Sequence, residues 1–191
     1  MKIAILAGHG GSDPGAVDPI EKEQNDGIYQ DDVYTEESDV NLKAAEILEK
    51  ILTNNGHEVL MARDRDVYIS LQNRTHFAND NNVDITISLH ANAAANSSAE
   101  GIETLHYPGS ENGMKLAYNV QKRMIEASKA VDRGIKRRDN LYVLRKTLMP
   151  AVLIEMGFLT NPKEEHLLNE KEYLYLLMEA VAAGVDDYER K

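Results

Sequence analysis

The sequence contains no cysteine among its 191 residues. Disulfide bonds, cysteine-ligated zinc sites and thiol nucleophiles are therefore excluded, and any metal site must use histidine and carboxylate side chains. Basic residues are fewer than acidic residues: the chain has 21 Lys and Arg and 32 Asp and Glu, which gives a net charge of −11. Binding to nucleic-acid phosphates requires clustered basic residues in excess, so we expect no nucleic-acid partner.

Long apolar runs are missing as well. No stretch approaches the roughly 18 consecutive apolar residues of a membrane-spanning helix, and the apolar start at residues 3–7 is too short for an export signal. We expect a protein without a membrane span, made without an export signal unless the sequence is a trimmed piece of a longer one. Hydrophobic residues at 42% and charged residues at 28% indicate one ordinary globular domain over residues 1–191.

Short apolar segments alternate with longer segments of helical periodicity, which favours an α/β fold with a mostly parallel, mixed sheet. Strands are predicted at residues 2–7, 57–62, 84–89, 101–107 and 151–154, with helices at 37–54, 71–79, 111–128, 164–168 and 173–188. We interpret 101–107 as an edge strand. A long acidic loop is predicted over residues 12–34, and a basic loop precedes the short apolar run 141–144.

Three predicted strands lead into an ionisable side chain. His9 and His90 follow the first and third strands, and Glu155 follows the strand at 151–154. Ligands bind at the carboxyl ends of parallel strands, so we expect these three side chains to meet at one edge of the sheet. Two histidines and a carboxylate form the ligand set of a catalytic zinc site. Glu37 is a fourth candidate, because the first turn of a helix favours a carboxylate.

Each of these residues also has a plainer interpretation. A single histidine after a glycine turn is usually a loop residue, and Glu37 by itself could do no more than interact with the helix dipole. Glu155 is harder to explain in this way, since burial of an unpaired carboxylate costs several kcal/mol. The residues alone leave open which glutamate binds metal and which transfers protons.

Four segments carry a more specific signal because they occur in a fixed order. Their sequences are AGHGGSDPGA at residues 7–16, ESDVNL at 37–42, SLHAN at 88–92 and IEMGFLTNP at 154–162. Together they resemble the type-3 family of zinc-dependent N-acetylmuramoyl-L-alanine amidases. The resemblance spans nearly the whole chain and implies a six-stranded mixed sheet flanked by helices.

The resemblance also implies a function. His9, Glu37 and His90 would bind Zn²⁺, and Glu155 would be the catalytic general base. The substrate would be peptidoglycan, cut at the amide between the lactyl group of N-acetylmuramic acid and L-alanine. We expect a monomer that acts at the bacterial cell wall, as an autolysin or an endolysin, and that reaches the wall by lysis or another route.

The sequence is also compatible with other functions. The scaffold could serve another zinc amidohydrolase or peptidase, or a non-catalytic peptidoglycan-binding domain. Among the competing carboxylates Glu21, Glu23, Glu36 and Glu37, we favour Glu37 because the residues after it fix the register, with Glu36 as second choice.

Charge is unevenly distributed along the chain. Residues 18–39 hold nine acidic residues against one basic residue, and residues 133–146 hold six basic residues against one acidic residue. Such runs are usually solvated faces. A sharper hypothesis is that the basic stretch, through Arg137 and Arg138, binds the carboxylates of the stem peptide.

The remaining polar candidates have weaker signals. We expect His57, His76 and His166 to be exposed to solvent. His106, on the predicted edge strand, and Asn92, just after His90, are candidates for substrate contact.

Overall fold

A computed structural model describes residues 1–17 and 34–190 of the chain. Within these residues six strands form one sheet: β1 (Lys2–Ala7), β2 (Glu58–Met61), β3 (Ile85–Asn92), β4 (Ile102–His106), β5 (Asp132–Arg137) and β6 (Ala151–Phe158). Their order across the sheet is β2-β1-β3-β6-β4-β5. Strand β4 runs antiparallel to β6, and the other neighbours are parallel. The predicted α/β fold with a mixed sheet of about six strands is confirmed.

Helices cover both faces of the sheet. They are α1 (Glu37–Asn54), α2 (Leu71–Asp80), α3 (Glu111–Ser128), α4 (Tyr142–Lys146), α5 (Pro162–Asn169) and α6 (Lys171–Glu189). Because side chains alternate along a strand, Ile3 and Ile5 of β1 pack with α1, α3 and α6, whereas Leu6 packs in a separate cluster with α4. None of the helices described is both long and apolar enough to span a bilayer.

Two assignments from the sequence were wrong in the second half of the sheet. Strand β4 has neighbours on both sides, so it is not an edge strand. The edge is β5, which lies in the segment predicted as a basic loop. Charged side chains suit an edge strand because they oppose pairing with other chains, and they also hide the strand from a search for apolar alternation. The apolar run 141–144 overlaps the short helix α4.

The parallel strands β1, β3 and β6 are neighbours, so their carboxyl ends meet at one edge of the sheet. Strands β3 and β6 continue beyond the predicted ends, so that His90 and Glu155 lie within them and face each other in register. A register shift follows between His90 and Asn92. Most of the predicted acidic loop, residues 18–33 with Glu21 and Glu23, lies outside the described part of the chain.

Candidate active site

His9 lies in a strained loop directly after β1. Its φ angle is 57°, in the left-handed region that costs a non-glycine residue about 1–3 kcal/mol. The buried Arg74 donates hydrogen bonds to the carbonyl oxygens of Ala7 and His9, the latter at 2.5 Å. Gly10 and Asp13 close the loop with a pair of backbone hydrogen bonds of 2.8 and 3.2 Å. The surrounding contacts therefore hold His9 in a conformation that it would not adopt by itself.

A second buried arginine joins this loop to helix α1. Arg63 donates from Nη2 to the carbonyl oxygens of Gly8, at 2.8 Å, and Ser38, at 2.7 Å. Burial lowers the pKa of Arg63, and burial together with the charge of Arg63 lowers the pKa of Arg74 to about 10. Both groups stay charged at neutral pH, so two cations fix the loop after β1 and the start of α1 through backbone carbonyls.

Glu37 lies between the two histidines. Its Oε2 is 3.2 Å from Nε2 of His9, and its Oε1 is 2.8 Å from Nδ1 of His90. The two imidazole rings are nearly perpendicular, with centroids 5.2 Å apart. One ligand atom from each of the three residues lies within 4.8 Å of the others. The structure thus brings together the three residues predicted to hold a metal.

The Glu37 carboxylate has further hydrogen-bond donors around it. The backbone N–H of Ala16 donates to Oε2 at 2.9 Å, and Nδ2 of Asn41 donates to Oε1 at 3.1 Å. Burial alone would raise the pKa of Glu37, but the hydrogen bonds and charges of His9 and His90 outweigh it and hold the pKa far below its usual range. The group is therefore ionised at neutral pH, as metal binding requires.

The orientation of the His9 ring is set by Asp13. Oδ2 of Asp13 is 2.9 Å from Nδ1 of His9, so the other ring nitrogen faces Glu37. The hydrogen bond to Glu37 raises the pKa of His9 against the effect of burial, and Asp13 raises it further. A carboxylate behind a histidine is a common outer partner in metal sites because it fixes the ring and its tautomer.

Two glycines leave room for these side chains. A Cβ atom at Gly15, whose φ is 71°, would lie 2.5 Å from Oε2 of Glu37 and 2.7 Å from Cδ2 of His9. A Cβ atom at Gly8 would lie 2.4 Å from Cε1 of His90. The close packing of the three-residue cluster therefore depends on glycine at both positions.

Glu155 lies beside the cluster on β6. Its Oε2 is buried without a hydrogen-bond partner among the described residues. Burial raises the pKa of Glu155 to about 8, and the charges of Glu37 and Glu103 contribute to the rise. A carboxyl group with a pKa near neutral can both accept and release a proton under physiological conditions.

These four side chains line one cleft. It has a volume of about 370 Å³ and is lined by His9, Ala16, Glu37, His90, Ala91, Asn92, Ala93 and Glu155. A larger apolar groove of about 680 Å³ lies near Met1 and between α3, β5 and the end of α6. That groove contains none of the four predicted site residues, so the smaller polar cleft is the candidate active site.

Comparison with known proteins identifies one enzyme family. The family model described as N-acetylmuramoyl-L-alanine amidase matches residues 3–187. The chain belongs to this amidase family. The crystal structure of N-acetylmuramoyl-L-alanine amidase from Clostridium difficile 630 is 36% identical to the chain, with a TM-score of 0.89 over 100% of this chain and 97% of that one. The family predicted from the four sequence motifs, and with it the enzyme class, is confirmed.

Two further amidases extend the comparison. The catalytic domain of CwlV, N-acetylmuramoyl-L-alanine amidase from Bacillus (Paenibacillus) polymyxa var. colistinus, is 31% identical, with a TM-score of 0.87 over 99% of this chain and 98% of that one. The probable cell wall amidase LytH of Staphylococcus aureus is 32% identical over 97% of this chain and 57% of LytH. The chain thus spans little more than half the length of this relative.

Other sequence predictions for this amidase have mixed outcomes. His76 is exposed and His166 is partly exposed, but His57 is buried, and its predicted exposure was wrong. Nε2 of His57 is 3.0 Å from Oδ1 of Asp186, a partner 129 residues away on α6 that local sequence could not indicate. His106 is buried and does not line the cleft, whereas Asn92 does.

Proposed function

We propose that this amidase uses Zn²⁺ to hydrolyse the amide between the lactyl group of N-acetylmuramic acid and L-alanine in peptidoglycan. The observation that carries the proposal is Glu155, whose buried and unpartnered oxygen lies in the same cleft as the cluster of His9, Glu37 and His90. A purely structural carboxylate would have a partner, since an unpaired buried one is costly. Family membership supports the choice of substrate.

The three-residue cluster fits zinc by its chemistry. Two imidazoles and a carboxylate are a usual catalytic ligand set, in which a fourth position is left for water or substrate. His9 donates a hydrogen bond from Nδ1 to Asp13, and Asn41 donates one to Glu37, and these are the outer contacts that orient such ligands. When bound, zinc would act as a Lewis acid that polarises a carbonyl and lowers the pKa of a bound water towards about 7.

Glu155 would transfer the proton of the reaction. As the oxygen of a water molecule bonds to the amide carbonyl carbon, the Glu155 carboxylate accepts a proton from that water. As the carbon–nitrogen bond then breaks, Glu155 donates the proton to the leaving nitrogen, so that the products are a lactyl carboxylic acid, which keeps the second proton of the water, and an L-alanyl amine. A proton carrier of this kind contributes about 10²- to 10⁴-fold to the rate.

The experiment is digestion of purified peptidoglycan with the zinc-loaded wild-type chain and with Glu155→Gln. We expect the wild type to release L-alanyl amino groups without new reducing sugar ends, and the variant to lose at least about a hundredfold in rate while it keeps its zinc. The matched control Glu179→Gln, at an exposed position on α6, should behave as the wild type.

The alternatives give different outcomes in the same assay. Release of amino groups from residues other than L-alanine would indicate a peptidase on this scaffold. Binding to peptidoglycan with no product would indicate a non-catalytic domain, and either result would refute the proposal.

A further inference from the structure

A row of polar side chains crosses the sheet from the candidate metal cluster to the edge strand. Glu155 of β6 is in register with His90 of β3 on one side and with Glu103 of β4 on the other. Side chains in register project from the same face of a sheet. Beyond Glu103, Arg133 of β5 approaches the row, with Nε 3.3 Å from Oε2 of Glu103.

A β-bulge places Arg133 at the end of this row. Ile102 pairs with Asp132 but Glu103 pairs with Gly134, so Arg133 is an extra residue between two paired positions. Bulges are frequent next to active sites, where they redirect a side chain. Here the redirected side chain is the one that reaches the carboxylate next to Glu155.

Arg133 is held by neighbouring groups, and its side chain remains partly exposed. Its Nη1 donates to the carbonyl oxygen of Glu100 at 3.2 Å, and its guanidinium lies 4.9 Å from the centroid of the Phe158 ring. The side chain is still 38% exposed, and the hydrogen bonds that hold it use Nε and Nη1. Glu103, by contrast, is almost fully buried. The cation is thus fixed by its neighbours and keeps donor capacity for a ligand.

We propose that Arg133 anchors a subsite that binds a carboxylate on the peptide side of the scissile amide. This inference rests on the proposed function. A guanidinium presents its donors in a planar fork that matches a carboxylate, and a preoriented fork loses little entropy on binding. The lactyl carboxyl of the sugar is consumed in the scissile amide, so a free carboxylate near the cleft belongs to the peptide.

Strand spacing indicates which peptide residue carries the carboxylate. Neighbouring strands lie about 4.8 Å apart, and β5 is two strands from β6, so the backbone of Arg133 is about 10 Å from that of Glu155. An extended peptide advances about 3.3 Å per residue. The carboxylate therefore belongs to the second or third residue counted from the amide.

The basic residue Arg137 provides a matched control on the same strand. It is in register with His106, whereas Glu103 pairs with Gly134, so Arg137 projects from the opposite face of the sheet. The sequence analysis assigned the carboxylate-binding role to Arg137 and Arg138 as a hypothesis. The register of β4 and β5 favours Arg133 instead.

The test compares soluble N-acetylmuramoyl-L-alanyl peptides in matched pairs, with a carboxylate or a carboxamide on the second or third residue. For Arg133→Gln we expect the KM for the carboxylate member to rise about tenfold to hundredfold, with kcat little changed and the carboxamide member unaffected. Arg137→Gln should behave as the wild type. Arg133→Lys should recover part of the loss, because it restores the charge without the fork.

Calorimetric titration with the same peptides lacking the muramoyl group separates this inference from the proposed function. If the wild type cleaves neither substrate, the proposed function fails, but weaker binding of carboxylate peptides to Arg133→Gln would still support the subsite. An equal loss on carboxylate and carboxamide peptides, or no loss on either, would overturn it. Thermal unfolding of both Arg133 variants identifies any loss of binding that comes from misfolding. If Arg133→Gln is misfolded, the inference is tested on Arg133→Lys in the same peptide comparison.

Discussion

Gly8, between β1 and His9, offers a sharp test of the site's geometry, because an alanine there collides with His90. The added Cβ would lie 2.4 Å from Cε1 and 2.7 Å from Nδ1 of His90, and 2.8 Å from Nδ2 of Asn41. Ordinary contact begins at 3.4 Å, so the ring must move by 3.4 − 2.4 = 1.0 Å. Distances in metal sites are held to within about 0.2 Å, so this displacement is several times what the site tolerates.

We therefore expect Gly8→Ala to weaken zinc binding by about a hundredfold or more, since even changes in outer contacts cost about 10- to 100-fold. The fold itself should survive, because such overpacking costs typically about 1–3 kcal/mol. Gly8 is not among the glycines with positive φ, so alanine adds no backbone strain there.

Zinc affinity of Gly8→Ala is measured by competition with a chromophoric chelator, and stability by urea denaturation without metal. The control is Gly56→Ala, whose φ is 90° and whose Cβ would meet nothing within 4 Å. That variant should lose stability but keep its zinc affinity. If Gly8→Ala bound zinc as tightly as the wild type, the inferred role of His90 as a ligand would be refuted.

Glu155, Glu37 and Arg63 can each be tested by substitution. The pKa of Glu155 rises from 4.5 to about 8 on folding, so the folded chain holds a proton that the unfolded chain has lost between these values. The free energy of unfolding of the metal-free wild type should therefore fall as the pH rises from about 5 to about 8, by at most about 5 kcal/mol. Urea denaturation should show no such decline for Glu155→Gln. An equal decline in this variant would contradict the assignment of the pH dependence to Glu155. Glu37→Ala should lose zinc in metal analysis while Glu36→Ala keeps it, and the reverse result would transfer the role to Glu36. Arg63→Ala leaves buried carbonyls without donors and should cost about 3 kcal/mol by urea denaturation; a cost under about 1 kcal/mol would show that water replaces the guanidinium.

The strand-end residues were predictable from the sequence because topology alone brings them together. His9, His90 and Glu155 belong to three parallel neighbours, and the carboxyl ends of such strands always share one edge of the sheet. The position of Glu37 at the start of α1 also agrees with its helical pattern. The roles proposed for Glu37 and Glu155 rest on the family resemblance, because two chemically identical side chains differ only in their surroundings.

Features that depend on distant partners were not predictable. Burial of His57 follows from its contact with Asp186, and Arg63 acts on carbonyls of Gly8 and Ser38 that lie far from it in sequence. Strand β5 exists because β4 pairs with it, although its charged sequence resembles a loop. In each case the deciding interaction is tertiary, so the local sequence pattern does not predict it.

The reaction proposed for this amidase is a zinc-dependent cut of the muramoyl–alanine amide. Its most direct test is metal analysis of the purified chain combined with peptidoglycan digestion before and after chelation. We expect one zinc per chain, release of L-alanyl amino groups, loss of that release with chelator, and recovery on addition of zinc. Full activity in a protein stripped of metal would contradict it.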